Sequence, residues 1–453
     1  MSNPSQPSGP ATGLGDLYRA VWRWHFYAGL LVLPFLMTLS ITGAAYVFRD
    51  EIDNWYHADF KRVQAQETQR VSASTLVALA VDAVPGAAVK YTDPADPGAS
   101  AEVTVATDSG KVAVYVNPYN GLVLGAMPDQ TTLMWTMRHL HSLKYFGTWT
   151  RYLIEIAAGW SILLVGTGLY LWWPRGQGGG VVSVRGTAQR RVFWRDLHAV
   201  TGLGVGFFIV FLAVTGMPWS GVWGGKVNEW ANGNNFGYPD GVRVNVPMSG
   251  QKLDDIARTS WSLEQARIPE SPVPGGGGQP ITLDDAVAEF DRLGLHPGYA
   301  VGLPAGPAGV FSGSVYPDDL DRQRVVHLDQ YSGKPLLDMS YADYGPLGRW
   351  LEWGINTHMG QTFGLLNQVL LLAACAAIML LAISAAVMWW KRRPAGSLGV
   401  PPLPRNRRVF RGLIAILAVG GLIFPLVGAS LLVMLALDIA YVRIGRRARE
   451  AAA

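Results

Sequence analysis

Five blocks of the chain are almost uninterruptedly apolar, and the stretches between them alternate or turn polar. The blocks run over residues 22–48, 152–173, 194–217, 365–390 and 409–437. The first four are each long enough to cross a hydrocarbon core of roughly 30 Å as a helix. The fifth carries Pro425 between two glycine-bearing halves, so it fits one kinked span or a re-entrant pair of half-helices. The predicted class is a polytopic α-helical membrane protein with four clear transmembrane helices plus a fifth span or re-entrant segment.

The two long connections, 49–140 and 218–357, repeat one another. The first predicts a helix over 74–84 and strands over 102–106 and 112–117, then the turn Asn117-Pro118-Tyr119-Asn120-Gly121 and a run over 122–124. The second predicts a helix over 283–293 and strands over 309–316 and 324–329, then Asp329-Gln330-Tyr331-Ser332-Gly333 and 334–337. A glycine closing each turn supplies the positive φ that a chain reversal needs. Each copy therefore reads as a small α+β domain, a helix on an antiparallel sheet. The second holds an insertion at about 219–280, with Trp219, Trp223, Trp230, Asn232, Asn234, Asn235 and a glycine tract at 275–278 that reads as a linker. Neither that tract nor Gly178-Gly179-Gly180 has the flanking elements of a nucleotide loop.

Charge then orients the spans. Arg175, Arg185, Arg190, Arg191 and Arg195 join spans two and three, and Lys391, Arg392, Arg393, Arg405, Arg407, Arg408 and Arg411 join four and five. Both loops, 174–193 and 391–408, read as cytoplasmic, with the N-terminal stretch 1–21 on the same side and the two large connections outside. The basic tail 438–453 conflicts with that rule if the fifth block crosses once. A net charge of +4 is explained by topology and implies no nucleic-acid partner. Residues 1–16 lack a basic n-region, so the first span is expected to be an uncleaved anchor. One cysteine, Cys375, excludes an internal disulfide, covalent haem attachment through a Cys-x-x-Cys-His motif and a thiolate-held iron–sulfur cluster.

The candidate chemistry lies in the histidines. Arg23-Trp24-His25 opens the first span, which closes at Thr42-Gly43; Arg195-Asp196-Leu197-His198 opens the third, which closes at Thr215-Gly216. His141 precedes Tyr145-Phe146-Gly147 in a His-bearing approach to span two (141–173), and His358 precedes Thr362-Phe363-Gly364 in the matching approach to span four (358–390). Four of the eight histidines thus form two quasi-equivalent pairs at membrane edges, which points to paired metal or haem ligation. Topology pairs His25 with His198 at the inner face and His141 with His358 at the outer face. His139, two residues from His141, projects to another side of a helix and is the substitute ligand or a supporting group. Met137 and Met359 are weaker axial alternatives. Arg23, Arg138 and Arg195 are candidate partners for haem propionates. His57, His296 and His327 are not repeated and are assigned surface roles. Trp22, Trp24, Trp172, Trp173, Trp389 and Trp390 read as interfacial anchors. Asp254-Asp255, Asp284-Asp285 and Asp318-Asp319 read as helix starts or solvated loops.

The residues Trp24-His25-Phe26-Tyr27-Ala28-Gly29, the Thr-Gly closures, Val116-Asn117-Pro118-Tyr119-Asn120-Gly121, His139-Leu140-His141 and Trp172-Trp173-Pro174 make the chain resemble the PepSY-associated transmembrane family. That family includes inner-membrane ferrisiderophore reductases, and the resemblance covers most of residues 18–442. It implies two PepSY-like periplasmic domains in a multi-pass protein of the bacterial inner membrane. With the histidines it yields the expectation of two non-covalent haem b groups per chain. Electrons would pass from a cytoplasmic-side donor to a periplasmic ferric siderophore or other ferric chelate. The competing classes are a regulatory or binding membrane protein acting through its outside domains, and a siderophore or metal permease.

Overall fold

The computed structural model describes residues 13–147, 149–175, 179–231, 236–237, 248–252, 267–274, 278–403 and 407–450. Asn232, Asn234, Asn235, Asp254, Asp255, Gly178, Arg405 and most of the glycine tract lie outside the described residues. The chain divides into two compact units: Met1–Ala44, His141–Gly224 and Leu372–Ala453 in one, Ala45–Leu140 and Gly225–Leu371 in the other.

In chain order the helices are α1 (Gly13–Tyr46), α2 (Arg49–Tyr56), α3 (Ala58–Lys61), α4 (Ala73–Ala83), α5 (Leu133–His141), α6 (Thr150–Trp172), α7 (Arg191–Gly216), α8 (Val222–Ala231), α9 (Leu283–Arg292), α10 (Pro346–His358), α11 (Leu365–Arg392), α12 (Arg407–Ile423) and α13 (Pro425–Glu450). The strands are β1 (Ala87–Thr92), β2 (Ala101–Thr107), β3 (Gly110–Val116), β4 (Val123–Pro128), β5 (Met248–Lys252), β6 (Arg267–Pro269), β7 (Ala300–Gly302), β8 (Val310–Val315), β9 (Arg324–Asp329) and β10 (Pro335–Ser340).

The first unit is the membrane part. Five helices, α1, α6, α7, α11 and α13, are long and apolar enough to cross a bilayer. The protein is a polytopic α-helical membrane protein. Two clusters hold the helices together. Trp24, Ala28 and Val32 of α1 pack with Trp160 of α6 and with Leu413, Leu417, Val427 and Leu431 from α12 and α13. Val205 and Ile209 of α7 pack against Ala374, Ile378 and Leu381 of α11. Trp24 is therefore buried at 1% exposure and is a packing residue, not an interfacial anchor. Trp172 and Trp389 each donate from Nε1 to a carbonyl of the loop that follows, Val181 at 2.7 Å and Leu398 at 2.9 Å. The same nine-residue closure at both ends is a further trace of the repeat.

The fifth block is not one kinked span. Proline cannot continue a helix's hydrogen-bond ladder, and α12 stops just before Pro425. The chain reverses there: a Cβ on Gly421 would come within 2.6 Å of Gly428 Cα, so glycines allow the two arms to touch. Both open ends return to one level on α1, since Arg23 donates to the Pro401 carbonyl ahead of α12 and pairs with Asp438 on α13. The block is a helical hairpin. It brings Asp438, where the basic tail begins, to the level of Pro401 in the basic loop, as the positive-inside rule requires of two basic stretches.

The second unit is built on one eight-stranded sheet, with α4 and α9 packed on the same face. The strand order is β10-β9-β8-β7-β1-β2-β3-β4, antiparallel throughout. The predicted pair of separate sheets is thus one eight-stranded sheet, joined by β1 and β7, two short strands that the hydropathy pattern did not reveal. Leu76 and Ala80 of α4 and Ala286 and Phe290 of α9 share one core with Val103, Val114, Val301 and Val326. Ser72 caps α4, and Thr282 with Asp285 forms a capping box on α9, so Asp285 is a helix-start residue as expected. The strands β1 and β7 each follow a Pro-Gly, Pro85-Gly86 and Pro297-Gly298, and Lys90 and Gly302 lie five residues beyond those prolines. Lys90 pairs directly with Gly302, so the quasi-twofold axis of the repeat runs through that pair. β5 and β6 form a separate two-stranded ribbon from the insertion.

Candidate functional site

On α1, Trp22, His25 and Phe26 stand at helical spacings that share a face, while Arg23, Trp24 and Tyr27 turn the other way. The second group meets the hairpin, as described; the first is left for the bundle interior. His25 Nδ1 lies 2.9 Å from Thr167 Oγ1 of α6. That hydroxyl donates to its own Leu163 carbonyl at 2.8 Å, so toward the imidazole it accepts. His25 consequently carries its proton on Nδ1, and Nε2 keeps a lone pair.

His198 on α7 reaches the same state by another route. Its Nδ1 is 3.1 Å from the Leu381 carbonyl and 3.3 Å from Ser384 Oγ, which itself donates to Leu381 at 2.8 Å. A carbonyl only accepts, so Nδ1 again holds the proton and Nε2 the lone pair. The two rings are close enough to act on one another electrostatically. One turn beyond each histidine stands a glycine: Gly29 after His25, Gly202 after His198. A Cβ on Gly29 would meet nothing within 4 Å, and one on Gly168 would touch His25 Cε1 at 3.4 Å. Gly29 thus leaves space beside His25 where a flat group can lie against backbone, whereas a Cβ on Gly202 would meet Leu381 Cδ1 at 3.4 Å.

His141 repeats this arrangement. Its Nδ1 is 2.9 Å from Thr42 Oγ1, whose proton goes to the Thr38 carbonyl at 2.7 Å. Gly43 makes room for the ring, a Cβ there falling 3.4 Å from His141 Cε1. The Thr-Gly closure of α1 is therefore an imidazole-orienting device. The helix ending in His141 is itself anchored: buried Asp53 accepts from Thr132 Oγ1 at 2.7 Å and Met134 N–H at 3.0 Å, and His57 Nε2 accepts from Leu133 N–H at 3.2 Å. His57 is thus a helix-capping group and not a surface one; burial holds its pKa below the usual range, offset in part by Asp53. His139 lies beside the Trp135 ring at 5.7 Å, on a different side of α5 from His141. His358 closes α10 in the second unit, with Asn356 of the same helix donating to the Asp318 carbonyl at 2.9 Å. His327 is not on the surface either. It sits in β9 at 2% exposure with Nδ1 2.9 Å from Ser312 Oγ, and burial pushes its pKa down to about 4.

Two of the three arginines assigned to propionates are committed elsewhere. Arg23 is 3% exposed and spends its guanidinium on Asp438, the Pro401 carbonyl and Tyr27. Arg195 pairs with fully buried Asp196 at 2.5 Å, together with Arg185 at 2.8 Å. Arg138 stacks over Trp135 at 4.6 Å.

Residues 22–392 match the family described as PepSY-associated TM region. The chain belongs to that family. The match ends at the last residue of α11, so the hairpin of α12 and α13 lies outside it. A search of curated proteins finds no match to this chain.

Among the described residues no three His, Cys, Asp or Glu side chains come together as a bare metal ion would require. Two imidazoles that keep their Nε2 lone pairs would suit instead an iron whose remaining positions a macrocycle fills, and hydrogen-bonded Nδ1 groups are how such ligands are held in orientation. The residues fit the group. Sequence reading missed Glu155, buried at 1% in α6, which accepts from the N–H groups of Val222 and Trp223 at 2.8 and 3.2 Å and so caps α8. An acid in an apolar block was the available signal.

Proposed function

We propose that this protein is a di-haem b oxidoreductase of the bacterial inner membrane. It takes electrons from a cytoplasmic-side donor and passes them to a periplasmic ferric siderophore or other ferric chelate. The supporting observation is the His25–His198 arrangement, in which both rings commit Nδ1 to the protein and keep Nε2 for a ligand. Bound haem iron supplies reversible one-electron chemistry; the chain's own task is to hold the imidazoles and exclude alternatives. His141 and His358 are the outer ligands on the strength of their repeated sequence positions, with His141 already oriented by Thr42. Ferric iron prefers hard oxygen donors and ferrous iron softer ones, so adding one electron loosens a siderophore's hold.

The test combines spectra and turnover. Purified protein should show low-spin haem b at two per chain by pyridine haemochrome. His198→Ala should lose one haem and no longer accept electrons from the cytoplasmic side. His358→Ala should keep a reducible inner haem and stop delivery to an external ferric chelate. Haem-free protein from a haem-replete host, or full chelate reduction by correctly inserted His358→Ala, overturns the reading.

A further inference from the structure

With Arg23 and Arg195 taken by carboxylates, a haem at the inner level needs other cations for its propionates, and two arginines stand where they are needed. Arg392, the last residue of α11, lies over both neighbours of His25 on the α1 face, 5.0 Å from the Trp22 ring centroid and 4.9 Å from that of Phe26. One Nη2–H donates to the Gly399 carbonyl at 2.6 Å, which fixes the fork and leaves its other donors. Arg191, the first residue of α7, precedes His198 by two helical turns, so it shares that ring's face about 10 Å nearer the basic loop. The two guanidinium groups act on one another electrostatically. Among the described residues neither has an Asp or Glu partner within ion-pairing distance. Two like charges held together beside an apolar site, one stacked and clamped by a carbonyl, lack the anion that such an arrangement suits.

We propose that Arg191 and Arg392 receive the two carboxylates of the haem held by His25 and His198, and so set which way round the macrocycle sits. This rests on the haem reading above. Phospholipid phosphate offers similar anionic chemistry, and the experiment separates the two sources.

The full chain carrying His358→Ala, which leaves the inner site to titrate alone, is stripped of haem in nanodiscs. It is then titrated with iron protoporphyrin IX and with its dimethyl ester, reading the Soret band. The unsubstituted arginines should bind the free acid more tightly than the ester by about tenfold per charge-assisted contact. Arg191→Gln and Arg392→Gln should each weaken the free acid by about that factor and leave ester binding unchanged. Equal affinity for acid and ester, or equal weakening of both by the substitutions, overturns the assignment while leaving the haem function standing. Loss of co-purified anionic phospholipid from the variants at unchanged haem affinity overturns it in favour of lipid. Absence of any low-spin haem spectrum in the unsubstituted arginine protein sinks the function itself, and the inference with it.

Discussion

Replacing Asp438 by Leu is the perturbation that best tests the hairpin clamp. The Arg23 and Asp438 side chains are each 4% exposed, so the pair is shielded from water and from salt. Removing the carboxylate alone leaves Arg23 as a buried cation whose remaining hydrogen-bond partners among the described residues are the Pro401 carbonyl and the Tyr27 hydroxyl. Breaking a pair of this kind costs about 3–5 kcal/mol, whereas replacing both partners with apolar residues of similar volume is close to neutral. Asp438→Leu should therefore destabilise the membrane unit by about that amount, and adding Arg23→Met should recover most of it. The assay is equilibrium unfolding in mixed micelles, with Trp160 as reporter because its Nε1 donates to Ser430 of α13 at 2.8 Å. A loss below about 1 kcal/mol for the single substitution, or a double variant as unstable as the sum of both singles, would refute the reasoning.

Gly29→Leu should leave membrane insertion intact, since a Cβ there meets nothing within 4 Å, yet lower inner haem occupancy; full haem content in the variant would show that the face is not used. Stability of the sheet unit should respond to pH with two opposing slopes. His327, held at about 4, stabilises the fold fully above its unfolded value of 6.5 and loses that contribution as pH falls toward 4. Asp93 is raised to about 6 by burial, with Tyr91 and Arg70 opposing and Asp291 adding, so its contribution is present below 3.8 and lost as pH rises through 6. Between pH 4 and 6 the two offset one another at about 1.4 kcal/mol per unit each. Relative to wild type, His327→Asn should grow more stable on acidification across that window and Asp93→Asn less stable; parallel curves by denaturant titration would contradict both assignments. Cysteines placed at Ser397 and at Arg443 in a Cys375→Ala background should react from the same side of the membrane, and opposite sidedness would mean the hairpin crosses once.

The four clear spans, the helices near 74–84 and 283–293 and the strands at 102–106, 112–117, 309–316 and 324–329 were legible because each is a run with one dominant period. The hairpin was not, because hydropathy reports depth and not direction; the reversal depends on Gly421 and Gly428 touching across Pro425. Nor were β1, whose six residues show no alternation of apolar and polar side chains, and β7, whose three residues are too few to show a period. The ligand histidines were found by repetition, but the groups that orient them were not: Thr167, Leu381 and Ser384 lie 142 to 186 residues away in sequence. Arg23 misled for the same reason, its acid being 415 residues downstream.

A chain holding one copy of the outer domain would end its sheet at β1, with a bare row of N–H and C=O groups. The natural cover for such an edge is the same edge of a second molecule, related by a true dyad. Position 90 would then face itself, and a lysine there would meet its own charge across the strands. Fusing two copies into one chain removes that constraint and makes the pairing independent of protein concentration. Lys90 here opposes Gly302 and turns to Glu102 at 3.4 Å, a charge that a copy paired with itself would have to forgo.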